Sequence, residues 1–129
     1  MSKEFDIEII SPDNNILSTK AEEIILPCFE GQVTILKDHI SLITFLRPGF
    51  VIIKGENEKK FFVEDGTVEF TNNNLLILTS TATDTSNMSK TSIESLIYES
   101  EKKLKDHEIS DKERYLLSYK LESLKNINL

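Results

Sequence analysis

Short apolar runs follow one another at close, regular spacing along residues 4–78, and this spacing restricts the possible folds more than any other feature of the sequence. In the first run Phe5, Ile7 and Ile9 alternate with acidic residues, which is the period of a strand with one solvated face. Residues 75–78 form a short, continuously apolar run, which favours a strand in a core over a helix. About nine such runs predict an antiparallel sandwich or barrel.

Turn residues predict where these strands end. Pro27 is expected to end the third apolar run, and Gly31 to mark the next turn. Asp65 and Gly66 stand between two further strand-like runs, and Asp-Gly is favoured where two successive positions need a positive φ. The sequence therefore predicts a β-hairpin at this dipeptide.

The pattern changes after the last apolar run. Residues 79–89 are rich in hydroxyl side chains and poor in large apolar ones, which is typical of a linker. Beyond them the apolar period becomes helical, with a short break at residues 106–109. Two helices joined by so short a break should form an antiparallel hairpin.

The expected fold class is therefore α+β. It comprises an N-terminal antiparallel β-sandwich of about nine or ten short strands at residues 1–83, a linker at 84–90 and a C-terminal two-helix hairpin at 91–129. This length has room for one domain, or for a compact domain with an appendage.

Helix-start signals and a narrow apolar stripe characterise the predicted hairpin. Thr91 with Glu94 fits a capping box, and so does Ser110 with Glu113. The stripe residues are Ile93, Leu96, Ile97, Leu104, Leu117, Leu121 and Leu124. Because isolated helices of this length are marginal in water, the hairpin should lie on the sandwich or on a partner, and should detach at modest cost.

Charge and composition exclude several functional classes. The net charge of -7 belongs to the first part of the chain, since residues 1–88 carry 7 basic and 14 acidic side chains and residues 89–129 carry 8 of each. Affinity for nucleic acid comes largely from Lys and Arg, so no nucleic-acid partner is expected. No apolar run approaches the roughly 18–20 residues of a spanning helix. The acidic N-terminus is unlike a targeting signal, so the chain is expected to be cytoplasmic or already processed.

No catalytic or metal-binding constellation stands out. Asp38 and His39 are adjacent, but no further ligand or activated nucleophile lies at a recognised spacing. His39 is expected to be a loop histidine held by a backbone hydrogen bond, and Cys28 a small buried hydrophobe. A small enzyme that uses Asp38 with His39 remains the last-ranked hypothesis.

The segment at residues 26–49, LPCFEGQVTILKDHISLITFLRPG, resembles without a gap the segment LPGxEGxxGxLPxHAPLLTxLxPG of the epsilon subunit of F-type ATP synthases. The matching positions are Leu26, Pro27, Glu30, Gly31, Ile35, His39, Leu42, Thr44, Leu46, Pro48 and Gly49. The departures are Cys28 and Thr34 for glycines, Lys37 and Ser41 for prolines, and Ile40 for an alanine. The resemblance continues through residues 61–70 and 75–82, and the sandwich-then-hairpin order completes it.

This resemblance implies a non-catalytic rotor subunit of the central stalk. Its partners would be the gamma subunit, the membrane-embedded c-ring and the alpha/beta catalytic head. The Glu30 and Gly31 turn matches the part of the family loop that faces the c-ring, and His39 matches a position near the gamma contact. The chain would be peripheral to the bacterial inner membrane on its cytoplasmic face, or to an organellar inner membrane if already processed.

The resemblance also implies a regulatory hairpin, which in this family can lie on the sandwich or extend into the head and block ATP hydrolysis. The candidate contacts with the head are Lys112, Arg114, Lys120 and Lys125, for which an ordinary solvated helix face is the alternative. No cofactor is expected. Some bacterial members bind ATP through I/L-D-x-x-R-A, of which this chain keeps only Asp111 and Arg114, a pair that a helix ion pair explains equally well.

The alternative to a rotor subunit is a stand-alone interaction module built from the same sandwich and hairpin. Binding to some other partner, without binding to gamma, would favour it.

Overall fold

The computed structural model describes residues 3–127, which form ten strands and two α-helices. The strands are β1 (Phe5–Ile10), β2 (Asn15–Ala21), β3 (Glu23–Cys28), β4 (Gly31–Leu36), β5 (Leu42–Leu46), β6 (Gly49–Lys54), β7 (Lys59–Val63), β8 (Gly66–Thr71), β9 (Asn74–Leu78) and β10 (Ala82–Asp84). A 3-10 helix (Thr85–Asn87) leads into α1 (Lys90–Leu104) and α2 (Asp111–Lys125). The predicted α+β class, with a sandwich first and a helical hairpin second, is confirmed.

The strands form two halves that meet at a narrow junction. Their order is β10-β7-β6-β3-β5-β8-β9-β1-β2, with β4 on the other side of β3. Strands β3 and β5 share a single residue pair, Cys28 with Leu46, so the sheet folds over there. All pairings are antiparallel except that of β1 with β9.

The alternating side chains of both halves close over one core. Phe5, Ile7 and Ile9 are buried while Asp6 is exposed, as the period-2 pattern predicts. The ring of Phe5 meets that of Phe70 edge-on at 5.6 Å between centroids. The sandwich therefore has its own hydrophobic core, independent of the helices.

Two turn predictions are wrong. Strand β3 does not end at Pro27 but continues to Cys28, because Pro27 needs no amide donor there and its carbonyl accepts a hydrogen bond from the Arg47 amide at 2.9 Å. The Asp65–Gly66 dipeptide is not a hairpin, because β7 pairs with β6 and β10 whereas β8 pairs with β5 and β9. The chain crosses there between the two halves of the sandwich.

The hairpin begins slightly earlier than its sequence signals predict. Ser89, not Thr91, caps α1, since its hydroxyl accepts a hydrogen bond from the Ser92 amide at 3.1 Å. The predicted cap of α2 is confirmed, with Ser110 accepting from the Glu113 amide at 3.1 Å. Strand β10 and the 3-10 helix occupy most of the stretch predicted as a linker, because residues 82–84 extend the sheet along β7.

The hairpin lies on the sandwich through a small second apolar cluster. Its buried members are Phe62, Met88, Ile93 and Leu124. Neither α-helix within residues 3–127 is long and apolar enough to cross a membrane.

Candidate functional site

The tight turn between β3 and β4 carries the first pair of predicted contact residues. Glu30 is exposed, and its carboxylate accepts a hydrogen bond from the Thr44 hydroxyl at 3.4 Å. Gly31 has a φ of 125°, which L side chains rarely adopt, and a Cβ there would meet no atom within 4 Å. The turn is therefore fixed by its backbone and open to solvent.

The loop between β4 and β5 carries His39. Its ring Nδ1 lies 2.7 Å from the Ile40 carbonyl oxygen, and its ring meets that of Phe70 edge-on at 6.1 Å. Asp38 and Asn73, both with positive φ, clasp each other: the Asp38 amide donates to Asn73 Oδ1 at 2.7 Å, and Asn73 Nδ2 donates to the Asp38 carboxylate at 3.0 Å. The structure thus confirms a locally held histidine.

These two predicted contacts do not form one site. Strand β4 runs from Gly31 to Leu36 and separates them by its whole length, on the order of 17 Å for six residues. The Glu30 turn and the His39 loop therefore mark opposite ends of the sandwich, and each is available to a different partner.

An exposed apolar strip joins the two ends. We define it as Phe29, Ile40, Ile43 and Phe45, whose side chains are 39%, 80%, 74% and 56% exposed. Ile43 and Phe45 alternate with buried Thr44 along the outer side of β5, and the Phe29 amide donates to the Phe45 carbonyl at 3.1 Å. Grouped exposed apolar side chains mark interaction surfaces. Ile40 and Ile43 are the most exposed members, whereas Phe29 and Phe45 also line the cleft that faces α2.

Cys28 lies on the inner side of this region. It is fully buried, and this burial raises the pKa of its thiol, opposed by a hydrogen bond with Thr44. The predicted role as a small buried hydrophobe is confirmed.

The four basic residues predicted to contact a catalytic head are occupied within the chain or line a cleft. Arg114 donates from its guanidinium to the Leu104 carbonyl at 3.0 Å, Lys120 forms an ion pair with Glu64 of the sandwich, and Lys125 forms one with Glu101 at 3.4 Å. Lys112 lines an open cleft of about 990 Å³ between α2 and the sandwich.

Asp111 and Arg114, the remnant of a nucleotide-binding motif, do not form an ion pair between themselves within the described part of the chain. Asp111 lies in the first turn of α2, whereas Arg114 turns back to the C-terminus of α1, where it also reaches the Asp106 carbonyl at 3.5 Å. Arg114 thus closes the hairpin, which is a role that the sequence motif does not predict.

A cluster of aromatic side chains around Arg47 was not predicted from the sequence. The rings of Phe29 and Tyr115 stack at 6.1 Å, and Tyr115 meets Tyr119 edge-on at 4.8 Å. The Arg47 guanidinium lies 3.8 Å from the centre of the Tyr119 ring. Hydrogen bonding with Tyr119, followed by desolvation, raises the pKa of Tyr115 above its usual value. The Tyr115–Tyr119 spacing of four is the only local signal for this cluster.

Asp38 and His39, the pair considered for catalysis, are engaged by separate partners. Asp38 is engaged by Asn73 and His39 by the Ile40 carbonyl, so the two side chains do not act on each other. No group of three potential metal ligands occurs among residues 3–127.

Comparison with known families supports the resemblance seen in the central segment. Residues 4–85 match the family model described as the beta-sandwich domain of the ATP synthase delta/epsilon chain. An ATP synthase epsilon chain of Pelagibacter ubique is 43% identical over 99% of this chain and 100% of its own length. One from Allorhizobium ampelinum is 27% identical over 98% and 91%.

Solved structures share the fold at low sequence identity. A chain in the Euglena gracilis mitochondrial ATP synthase (OSCP/F1/c-ring) superimposes with a TM-score of 0.77 at 16% identity, covering 97% of this chain and 79% of that one. A chain in the central stalk/c-ring of the Tetrahymena thermophila mitochondrial enzyme gives 0.64 at 13% identity, covering 93% and 92%. With a sandwich that matches the family model and a relative alike over its full length, this chain belongs to the family of ATP synthase delta/epsilon chains.

Proposed function

We propose that this chain is a non-catalytic central-stalk subunit of an F-type ATP synthase, which joins the gamma subunit to the c-ring and rotates with them. The proposal follows from family membership and from the names of the solved assemblies that share the fold. Such a subunit transmits torque and needs binding surfaces, not a catalytic centre.

The apolar strip is the observation that supports this function best. The strip runs along β5. One end is Ile40 in the His39 loop, and the other end is Phe29, which directly precedes Glu30. A subunit fixed between two partners needs contacts at two separated places, and the strip with its two ends supplies them. Burying one of its isoleucines would contribute about 1.5–3 kcal/mol, which is roughly tenfold or more in affinity.

Co-purification with the gamma subunit and c-ring of the same organism tests this proposal. The chain should form a stable complex, and Ile43→Glu should weaken it about tenfold or more because a charge replaces an apolar contact. Tyr98→Glu is the matched control, since Tyr98 is 68% exposed on α1, away from the strip. Absence of a complex, or equal loss in both variants, would overturn the proposal.

The hairpin is proposed to be a regulatory element whose position on the sandwich is the non-inhibitory one. In this position Lys120 is paired with Glu64 of the sandwich, which engages one of the four basic residues proposed to contact the head. The pair of Lys125 with Glu101 joins the two helices and does not depend on docking. Truncation after Met88 would remove the hairpin and keep β10, whereas truncation after Thr83 would cut that strand. If the hairpin inhibits hydrolysis, an enzyme assembled with the chain truncated after Met88 should hydrolyse ATP faster than one assembled with the full chain. Unchanged hydrolysis would contradict this role.

Regulation by ATP through Asp111 and Arg114 is a separate proposal. A nucleotide would have to compete for Arg114 with the carbonyls of Leu104 and Asp106. Isothermal titration of the chain with ATP tests binding, and Arg114→Ala should abolish any signal. Absence of heat with the unmodified chain would refute it.

The proposed location is the cytoplasmic face of the bacterial inner membrane, which the chain reaches through the c-ring. Fractionation should place it with the membranes when the c-ring is present and release it when F1 is stripped from them.

A further inference from the structure

We propose that Phe29, Arg47, Tyr115 and Tyr119, here called the aromatic latch, determine whether α2 stays docked on the sandwich. The contacts of the latch can be tested in the isolated chain, whereas any effect of the latch on ATP hydrolysis rests on the proposed function. Through the latch, two sandwich residues far from the hairpin in sequence govern the hairpin's position.

The sandwich half of the latch is fixed in advance. Arg47 donates from its backbone amide to the Pro27 carbonyl and from Nε to the Cys28 carbonyl, each at 2.9 Å. The Phe29 amide is bonded to β5, so the residues on both sides of the β3 end are held by backbone contacts. A guanidinium held in this way presents its flat face without losing further freedom, which suits it to stacking on an aromatic ring.

The helix half of the latch lies on one face of α2. Tyr115 and Tyr119 are four residues apart, so their rings project from the same side of the helix. The guanidinium of Arg47 lies over the ring of Tyr119, and the ring of Phe29 stacks on that of Tyr115, so each tyrosine contacts one sandwich residue. The edge-on contact between the tyrosines joins the two into a continuous chain of rings.

The latch holds the middle of α2, because the buried apolar contacts lie at one end of the hairpin and Leu116 only lines the open cleft that faces the sandwich. The only buried residues of α2 are Leu121 and Leu124, both in its C-terminal half. The N-terminal half has no buried side chain, and its ring contacts with the sandwich are those of the latch. Lys120 with Glu64 adds one ion pair beside them. Loss of the latch should therefore loosen the whole of α2, beginning with the part up to Tyr119 that lacks the buried leucines.

The position of the latch connects the hairpin to the predicted c-ring contact. Phe29 directly precedes Glu30 and Gly31, and it is also one end of the apolar strip. Undocking of α2 would remove Tyr115 from the Phe29 ring and Tyr119 from the Arg47 guanidinium, and so expose both groups at the same end of the sandwich. The docked and released chains thus present different surfaces there.

Hydrogen exchange of the α2 amides in the full chain tests the latch. Tyr119→Leu and Arg47→Gln should each speed exchange across residues 111–125 by about 5- to 30-fold, the effect of losing one such contact. Tyr98→Leu should leave it unchanged, since Tyr98 lies on the exposed face of α1. Equal exchange in all four proteins would overturn the proposal.

A double-mutant cycle separates undocking from simple fraying of α2. Arg47 belongs to the sandwich and not to α2. Faster exchange of the α2 amides in Arg47→Gln would therefore not come from a direct change in helix propensity. If the two side chains act on each other, Arg47→Gln combined with Tyr119→Leu should be no faster than the faster single variant. If the fold-increases in exchange of the two single variants multiply in the double variant, the two side chains act independently and the latch is contradicted. Tyr119→Phe, which keeps the ring, should restore slow exchange.

The same variants test the link to regulation in the reconstituted enzyme. Arg47→Gln should lower ATP hydrolysis if a released hairpin inhibits, and truncation after Met88 should abolish this effect. Faster exchange with unchanged hydrolysis would support the latch and refute the inhibitory role, so the two proposals fail separately.

Discussion

Gly66 occupies the crossing between the two halves of the sandwich, and replacing it with alanine should be costly for two separate reasons. Its φ of 152° lies in a region that L side chains rarely adopt, which costs about 1–3 kcal/mol. A Cβ there would also lie 2.8 Å from the Leu78 carbonyl oxygen, a backbone atom fixed in β9. Relieving this overlap requires the strands to shift, which costs about 1–3 kcal/mol more.

Gly31 is the matched control for this substitution. It has a similarly unusual φ of 125°, but a Cβ there would meet no atom within 4 Å. Gly31→Ala therefore adds strain without overlap, and the lower entropy of the unfolded alanine chain offsets about 0.4–1 kcal/mol in both variants. We expect a loss of roughly 1–2 kcal/mol for Gly31→Ala and about 2–4 kcal/mol for Gly66→Ala.

Urea unfolding followed by far-UV circular dichroism measures this difference. With a slope of about 1.5 kcal/mol per molar urea, the midpoint should fall by about 1 M for Gly31→Ala and by about 1.5–2.5 M for Gly66→Ala. A Gly66→Ala loss no larger than that of Gly31→Ala would refute the reasoning, because the overlap with Leu78 would then cost nothing.

Three further predictions follow from burial, titration and capping. Cys28 should react with a thiol reagent only when the native fold opens, because the folded chain buries its thiol and raises the thiol pKa; rapid labelling near pH 7 in the absence of denaturant would contradict its burial. Because the pKa of Tyr115 is raised in the folded chain, its contribution to docking should be fully present below the ordinary tyrosine pKa and be lost as pH rises through the elevated one. Absorbance titration of the phenolates should lose its late component in Tyr115→Phe, and a late component that persists in this variant would argue against the raised pKa of Tyr115. Ser89→Ala should destabilise α1 by about 1 kcal/mol whereas Thr91→Ala should have little effect, and the reverse order in thermal unfolding would show that the helix begins at the cap predicted from sequence.

Local periodicity was enough to predict most of the fold. The strand-forming alternation around Phe5 and the second helix cap at Ser110 depend on neighbouring residues alone, so the sequence predicts them correctly. The prediction at Asp65 failed because the same dipeptide suits a hairpin and a crossing, and only long-range pairing decides between them. In the structure the Asp65 carboxylate accepts hydrogen bonds from the Ser80 amide at 2.9 Å and the Ser80 hydroxyl at 2.7 Å, contacts 15 residues away.

The candidate site residues also divide into those that the sequence points to and those that only the three-dimensional fold brings together. The resemblance predicted contacts at Glu30 and His39, and the pairing of β4 shows that these two residues lie at opposite ends of the sandwich. No spacing rule brings Arg47 to Tyr119, since they are separated by most of the chain and meet only when the hairpin docks. Such a contact leaves no periodic trace in the sequence, because neither segment needs it to form its own secondary structure. The residues proposed to hold the hairpin on the sandwich are therefore those that sequence patterns are least able to identify, and variants at Arg47 are the most direct test of their role.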